Sequence, residues 1–366
     1  MNTPHIWLRA ETKPFEHRTP LTPQGAAQLI AAGFKVTVER SQESIFNEAL
    51  YRQADCHIAA AGSWRHADKD AIILGLKELP EATHPLEHAH IYFAHAYKEQ
   101  QGWQDLLGRF KAGNGKLYDL EYLLDDNNRR IAAFGYWAGF AGAALGLQGW
   151  AHQQHNQSQK LGQKLGQLPP LSDVNAYADK QALFADIKTS LAKLDYRPRL
   201  LVIGALGRSG SGAADFADEM GIEVVKWDLA ETQKGGPFTE INQMDIMVNC
   251  VFVQQQLPPF ITPKMLTDKA RKLSMIVDVS CDPYSSFNPL PIYDRCTTFK
   301  SPCLSLIDGD NPLDLIAIDH LPSLLPKESS EDYSAQLLEH LKTLGDKNQP
   351  VWSNALQIFQ QKSAQL

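Results

Sequence analysis

Along the first 135 residues, short apolar runs alternate with longer amphipathic stretches, the pattern of strands joined by helices in a parallel sheet. Residues 5–9 read as the first strand. Thr22 and Pro23 then supply a cap and a first helical residue, a helix follows to Ala32, and Gly33 stops it. Further strands are expected at 34–38, 57–61, 71–76, 91–94, 116–118 and 130–134, without a glycine fingerprint among them. Residues 131–147 carry no charge but are mostly Ala and Gly, too short and too weakly apolar for a membrane span. Gly135, Gly139, Gly142 and Gly146 instead line one helical face that can approach another element closely. The polar stretch 153–167 is expected to be a mobile loop or frayed helix, after which helical spacing resumes over 175–194.

The chain is organised around residues 200–228. Leu200, Leu201, Val202 and Ile203 form an apolar run suited to a strand buried on both faces. Gly204, Gly207 and Gly210 break it into a tight turn, and Ala213, Ala214, Phe216, Ala217 and Met220 carry helical spacing up to the stop at Gly221. A second strand, 222–225, leads to Asp228. Strand, glycine turn, helix, strand and acid are the parts of a dinucleotide site. The turn lets the backbone approach a pyrophosphate, the helix N-terminus receives its charge, and the acid accepts the ribose hydroxyls while repelling a 2'-phosphate. NAD is therefore expected over NADP. The spacing is G-x-x-G-x-x-G rather than the commoner G-x-G-x-x-G. Strands at 245–252, 275–279 and 315–318 complete this half, and helices at 330–344 and 350–361 end the chain.

A length of 366 residues implies two domains. Cys56, Cys250, Cys281, Cys296 and Cys303 form no C-x-x-C pair, which fits a reducing cytoplasm, and no secretory signal opens the sequence. The formal net charge of -7 argues against a nucleic-acid partner. Lys77 and His95 each follow an apolar strand, where open α/β sheets bind ligands, and an imidazole there can shuttle protons. Arg18, Arg129 and Arg130 suit bidentate capture of carboxylates. His84, His88, His90 and His95 lack the paired spacing of a zinc set, so no metal is expected. Ser280, Cys281 and Asp282 read as a ligand-contacting loop rather than a nucleophile.

The segments LRAETKPFEHRTPLTP, ILGLKELPE, FAHAYKEQ, RRIAAFGYWAGFAGAALG, GALGRSGSGA, KWDLAET and IDHLPSLLP together resemble the NAD-dependent, lysine-forming saccharopine dehydrogenases almost end to end. The resemblance implies an α/β fold similar to alanine dehydrogenase and transhydrogenase domains, with two Rossmann-like domains of parallel strands around a cleft. A substrate domain (1–135 with 322–366) and an NAD-binding domain (136–321) follow from it. So does oxidation of saccharopine by NAD to an imine, then hydrolysis to lysine and 2-oxoglutarate. Lys77 falls on the family's proton acceptor and His95 on its proton donor. Arg18, Gln100, Arg130 and Phe134 match substrate-holding positions, and Glu16, Glu78 and Glu121 the acids that balance the site's cations. Arg129, Gly207, Arg208, Asp228, Thr232, Phe252, Val279, Ile318, Asp319, His320 and Leu321 match cofactor positions, with Gly204 and Gly210 shaping the loop. A monomer is the family-based expectation. Some members carry a cysteine where this chain has Ser209 and an aromatic hydroxyl where it has Phe252.

Two alternatives stay open at this point. One is an alanine dehydrogenase-like enzyme acting with NAD on a smaller amino acid, which has no second dicarboxylate to engage both Arg18 and Arg130. The other is a non-catalytic NAD-binding protein, in which Lys77 and His95 are dispensable.

Overall fold

A computed structural model describes residues 4–160, 171–251, 253, 255–344, 346 and 349–366. The chain divides into two compact units, Met1–Ala133 with Pro326–Leu366, and Phe134–Leu325.

In the first unit, β1 (His5–Leu8), β2 (Lys35–Glu39), β3 (His57–Ala59), β4 (Ile72–Leu74), β5 (Ala89–Tyr92) and β6 (Lys116–Asp119) form one sheet. Its order is β3-β2-β1-β4-β5-β6, with every neighbouring pair parallel. Ile6, Ile73, Ile91 and Leu117 are fully buried along it, as strands covered on both faces require. The helix Pro23–Ala31 begins where Thr22 accepts the Gly25 N–H at 3.1 Å and Pro23 pre-sets the first turn. The C-terminal helices Pro326–Leu341 and Pro350–Ser363 belong to this unit. Ser330 and Ser334 take the backbone N–H groups of Thr19 and Thr22, and the Trp352 ring meets Tyr118 edge-on at 5.6 Å.

The strand expected at 130–134 is not formed. Leu124 and Arg130 make an isolated antiparallel bridge, and the Ala133 N–H turns to the Gln336 side chain at 3.2 Å. The apolar character there reflects burial of Ala132 and Ala133, not sheet pairing.

The second unit contains β7 (Arg199–Ile203), β8 (Glu223–Trp227), β9 (Ile246–Asn249), β10 (Met275–Asp278), β11 (Leu304–Ile307) and β12 (Leu313–Ile316), ordered β11-β12-β10-β9-β7-β8. All pairs are parallel except β11 with β12. The hairpin strand β11 was not foreseen, although Asp308-Gly309-Asp310-Asn311 after an apolar run is a turn signal, and Gly309 has φ +108. This unit extends to 325 rather than 321 because Leu321, Leu324 and Leu325 lie in its core.

The helix Gly135–Lys160 crosses the helix Arg208–Met220 at very short range. A Cβ on Gly139 would collide with the Ser209 carbonyl, and one on Gly212 would fall 2.8 Å from the Tyr136 carbonyl carbon. Of the small-residue face seen in the sequence, Gly135 and Gly139 meet this helix, while Gly142 and Gly146 pack on Val277 of the sheet. Residues 153–160 of the polar stretch continue the long helix, with buried Gln153 donating to Ser274 O (3.0 Å) and Asp314 Oδ2 (2.7 Å), while 161–167 lie outside the described residues. No helix among the described residues is long and apolar enough to cross a membrane.

Candidate active site

In an open parallel sheet, ligands sit beyond the carboxyl ends of the strands, where connections diverge to either side. In the first unit that point lies between β1 and β4, and the chemistry-bearing side chains gather at this edge. Lys77 leaves β4 through Gly75 and Leu76. Burial, and then the positive charge of Arg18, lower its pKa, while Glu16 acts in the opposite sense. Arg18 Nε donates to Glu16 Oε1 at 2.8 Å and Nη2 to Oε2 at 2.7 Å, with both side chains 4% exposed. Burial alone would raise the Glu16 carboxyl, but Arg18 and, more weakly, Lys77 hold it below its ordinary value.

His95 follows β5 in the left-handed region, φ +51, with its ring stacked on Phe93 at 6.3 Å. Its Nε2 stands 3.5 Å from Glu78 and its Nδ1 3.8 Å from Glu121. Glu78 also faces Lys13 at 3.8 Å and acts electrostatically on Lys77, so it is common to the surroundings of Lys77 and His95. Glu121, just past β6, takes Lys98 Nζ at 2.6 Å, and Gln100 Oε1 accepts the Lys98 N–H at 3.0 Å. Beneath them Asp119 is fully buried, and that burial pushes its carboxyl up to about 7.

Arg129 and Arg130 occupy an exposed turn where Asp125 accepts the Arg129 N–H at 2.8 Å. Phe134 opens the second unit, its carbonyl accepting the Ala138 N–H at 2.9 Å. The other histidines face elsewhere: His84 and His88 bond Arg109 and the Ala67 carbonyl, and His90 is enclosed by Trp64, Tyr92 and Phe110. Among the described residues, no three or more His, Cys, Asp and Glu side chains are placed to hold a metal ion.

Three acids and bases escaped the sequence reading. The Glu11 carboxylate accepts the N–H groups of Leu76 (2.7 Å) and Lys77 (3.0 Å), and Arg9 donates to the Lys77 carbonyl. Glu39, last in β2, accepts four N–H groups, from Trp7 Nε1, Ala10, Gly62 and Trp64. A lone acid closing an apolar strand was the available signal.

In the second unit, Gly204 (φ +83) turns the chain out of β7, and Gly207 caps the helix Arg208–Met220 without any side-chain hydrogen bond to its first N–H groups. Gly210 is buried at the turn, where a Cβ would strike the Gly204 carbonyl. A backbone cradle with uncapped donors fits a pyrophosphate. Asp228, at the end of β8, holds the Leu206 and Leu229 N–H groups at 2.8 Å each, which fixes its carboxylate beside the turn. Thr232 Oγ1 donates to the Asp228 carbonyl at 2.8 Å. Leu206 and Leu229, flanking the acid, are 84% and 69% exposed, an apolar pair the sequence reading also missed. Val279 is half-buried after β10, Asp319 exposed, and His320 set edge-on to Phe299 at 5.0 Å. Ile318 and Leu321 are buried in the core of this unit. Phe252 lies outside the described residues. Ser280 Oγ donates to the Val251 carbonyl at 2.7 Å.

Residues 7–141 match the family model described as alanine dehydrogenase/PNT, N-terminal domain. Among solved structures, an L-alanine dehydrogenase superposes with a TM-score of 0.62 at 16% identity, covering 96% of this chain and 93% of that one. The transhydrogenase from Sinorhizobium meliloti also gives 0.62, at 15% identity over 96% and 97%. The fold is therefore that of the alanine dehydrogenase and transhydrogenase class. Within it, the chain belongs to the NAD-dependent, L-lysine-forming saccharopine dehydrogenase family. The Schizosaccharomyces pombe (strain 972) protein of that name is 47% identical over 367 residues, 98% of each chain.

Proposed function

We propose that this protein oxidises saccharopine with NAD and water to lysine, 2-oxoglutarate, NADH and a proton. The observation that carries the reading is the half-buried Lys77 beside the Glu16–Arg18 fork at the β1/β4 edge: an amine with a lowered pKa next to a guanidinium suited to a carboxylate. Arg18, Arg130, Gln100 and Phe134 hold the substrate. Lys77 removes the proton from the secondary amine, so that the nitrogen lone pair can drive hydride loss from the adjacent carbon. His95 then activates water on the resulting imine and protonates the departing amine, with Glu78 and Glu121 moderating the charge around it.

NAD, when bound, supplies the hydride acceptor. Gly204, Gly207, Arg208 and Gly210 would receive its pyrophosphate, Asp228 and Thr232 its ribose side, and Leu206 and Leu229 its adenine. Arg129, Phe252, Val279, Ile318, Asp319, His320 and Leu321 are assigned to the same site. The substrate domain is thus the first unit and the cofactor domain the second. We further assign the protein to the cytoplasm as a monomer, on the cysteine spacing and the family resemblance respectively.

The test is NADH formation by purified protein with NAD and saccharopine, with alanine in a parallel arm. Turnover on saccharopine alone supports the reading, and turnover on alanine overturns it. The electrostatics add a prediction. Lys77 must be neutral to accept a proton, so kcat/KM falls as pH drops through its pKa. Glu16 is the strongest influence raising that pKa, and replacing it uncovers Arg18, which acts downward. In Glu16→Gln the acidic limb of the kcat/KM profile accordingly moves to lower pH. A limb that stays or moves upward would show that another group sets it.

A further inference from the structure

We propose that Arg9 and Glu11 are positioning residues for Lys77, together holding both polar groups of its backbone so that the amine meets the substrate at one distance and angle. The inference rests on Lys77 being the proton acceptor. The observations come from the gap that opens where β1 and β4 part. β4 ends at Leu74, and the last backbone bond across to β1 is Arg9 N–H to the Leu74 carbonyl at 2.9 Å. On the other flank, pairing with β5 continues further, through Gly75 N–H to Ile91 O (2.9 Å) and Phe93 N–H to Leu76 O (3.0 Å).

On the β1 flank, side chains replace the strand. Glu11 Oε1 and Oε2 accept the Leu76 and Lys77 N–H groups, and Arg9 Nη2 donates to the Lys77 carbonyl. The two partners lie 3.5 Å apart with side chains 2% and 6% exposed, so the clamp is buried; that burial raises the Glu11 carboxyl, against Arg9 and the two backbone N–H groups. Its space is reserved as well. A Cβ at Gly75 would collide with the Arg9 guanidinium, which also lies 5.6 Å from the centre of the Tyr92 ring. An acid and a guanidinium thus take the N–H and C=O of the same residue, and that residue bears the amine.

Proton transfer is sensitive to placement, and a misplacement of about 1 Å can cost about 100-fold in rate. Glu11→Gln keeps shape and one acceptor but turns an amide NH2 toward one of the two backbone donors. The expected result is a fall in kcat of about 10- to 100-fold with the KM for NAD unchanged. The deciding readout is a double-mutant cycle. If Glu11 acts through Lys77, Lys77→Met/Glu11→Gln is no slower than Lys77→Met. Ethylamine, which needs no tether, then rescues Lys77→Ala and Lys77→Ala/Glu11→Gln to the same rate. Effects that multiply, a rescue that differs, or wild-type kcat in Glu11→Gln overturn the proposal. Should Glu11→Gln fold poorly, Arg9→Lys keeps the charge but not the fork, and its kcat per NAD-binding site must still drop. Full activity in Lys77→Met would instead remove the proton-acceptor reading itself, an outcome the same set of proteins separates from failure of the clamp alone.

Discussion

Lys77→Met is expected to lower kcat by about 100- to 10,000-fold, the range for loss of a positioned acid–base group, and to leave NAD affinity unchanged. The substitution keeps chain length and apolar stem while deleting the amine. It does not cost fold stability. Burial and Arg18 depress the Lys77 pKa in the folded protein, so its stabilising contribution exists only at pH values where the amine is neutral and is lost as pH falls through the depressed pKa. Below its ordinary pKa the lysine therefore opposes folding, and methionine carries no such opposition. The variant should therefore unfold at the same temperature as the parent or higher, with Glu16 easier to protonate because one of its cations is gone. Steady-state kinetics beside calorimetric NAD binding checks this. A loss of less than tenfold would mean that bulk water or another base takes the proton.

Gly139→Ala should weaken the second unit, with two opposing effects to weigh. Alanine in a helix interior gains about 1 kcal/mol over glycine. Overpacking typically costs about 1 to 3 kcal/mol, and more when the obstacle cannot rotate aside. Here the obstacle is the Ser209 carbonyl, whose carbon lies 2.6 Å from the added Cβ, so the two helices must part at their crossing and the loss wins. Ser209 is also in the first turn of the helix that bears the glycine turn, so NAD affinity should fall with stability. Gly108→Ala is the matched control: in the helix Trp103–Gly113 nothing lies within 4 Å of its Cβ, and it should stabilise by about 0.5 to 1 kcal/mol. Urea unfolding of both variants checks the pair. Equal shifts in the same direction would show that the crossing is looser than its geometry.

Features written in neighbouring residues were legible before any coordinates. The strand, turn, helix and acid of 200–228 could be read because each part is a local signal, and the same holds for Thr22-Pro23 at a helix start. Lys77 and His95 could be placed at strand ends for the same reason. Elements whose cause is distant could not. The 130–134 stretch is apolar through burial without being a strand, and its Ala133 N–H bonds Gln336. Glu11 reaches Lys77 across 66 positions, and the donors to Glu39 come from both sides of it in sequence. No window of periodicity contains such contacts. The exposure of Leu206 and Leu229 is likewise visible only once Asp228 has drawn their two backbones together.

Glu39 and Asp228 close the second strand of their respective sheets, yet the four N–H groups on Glu39 leave it 4% exposed. The first sheet thus uses the acid at this position as an internal staple, whereas Asp228 holds two backbone N–H groups beside the glycine turn. Grafting a glycine turn after β1 would leave that acid committed, because releasing it breaks its bonds to the Trp7 indole and three backbone amides, of which the Trp64 N–H is buried. For anyone redesigning this scaffold, the division of labour between the sheets is built into the first one's core and cannot be undone from its loops.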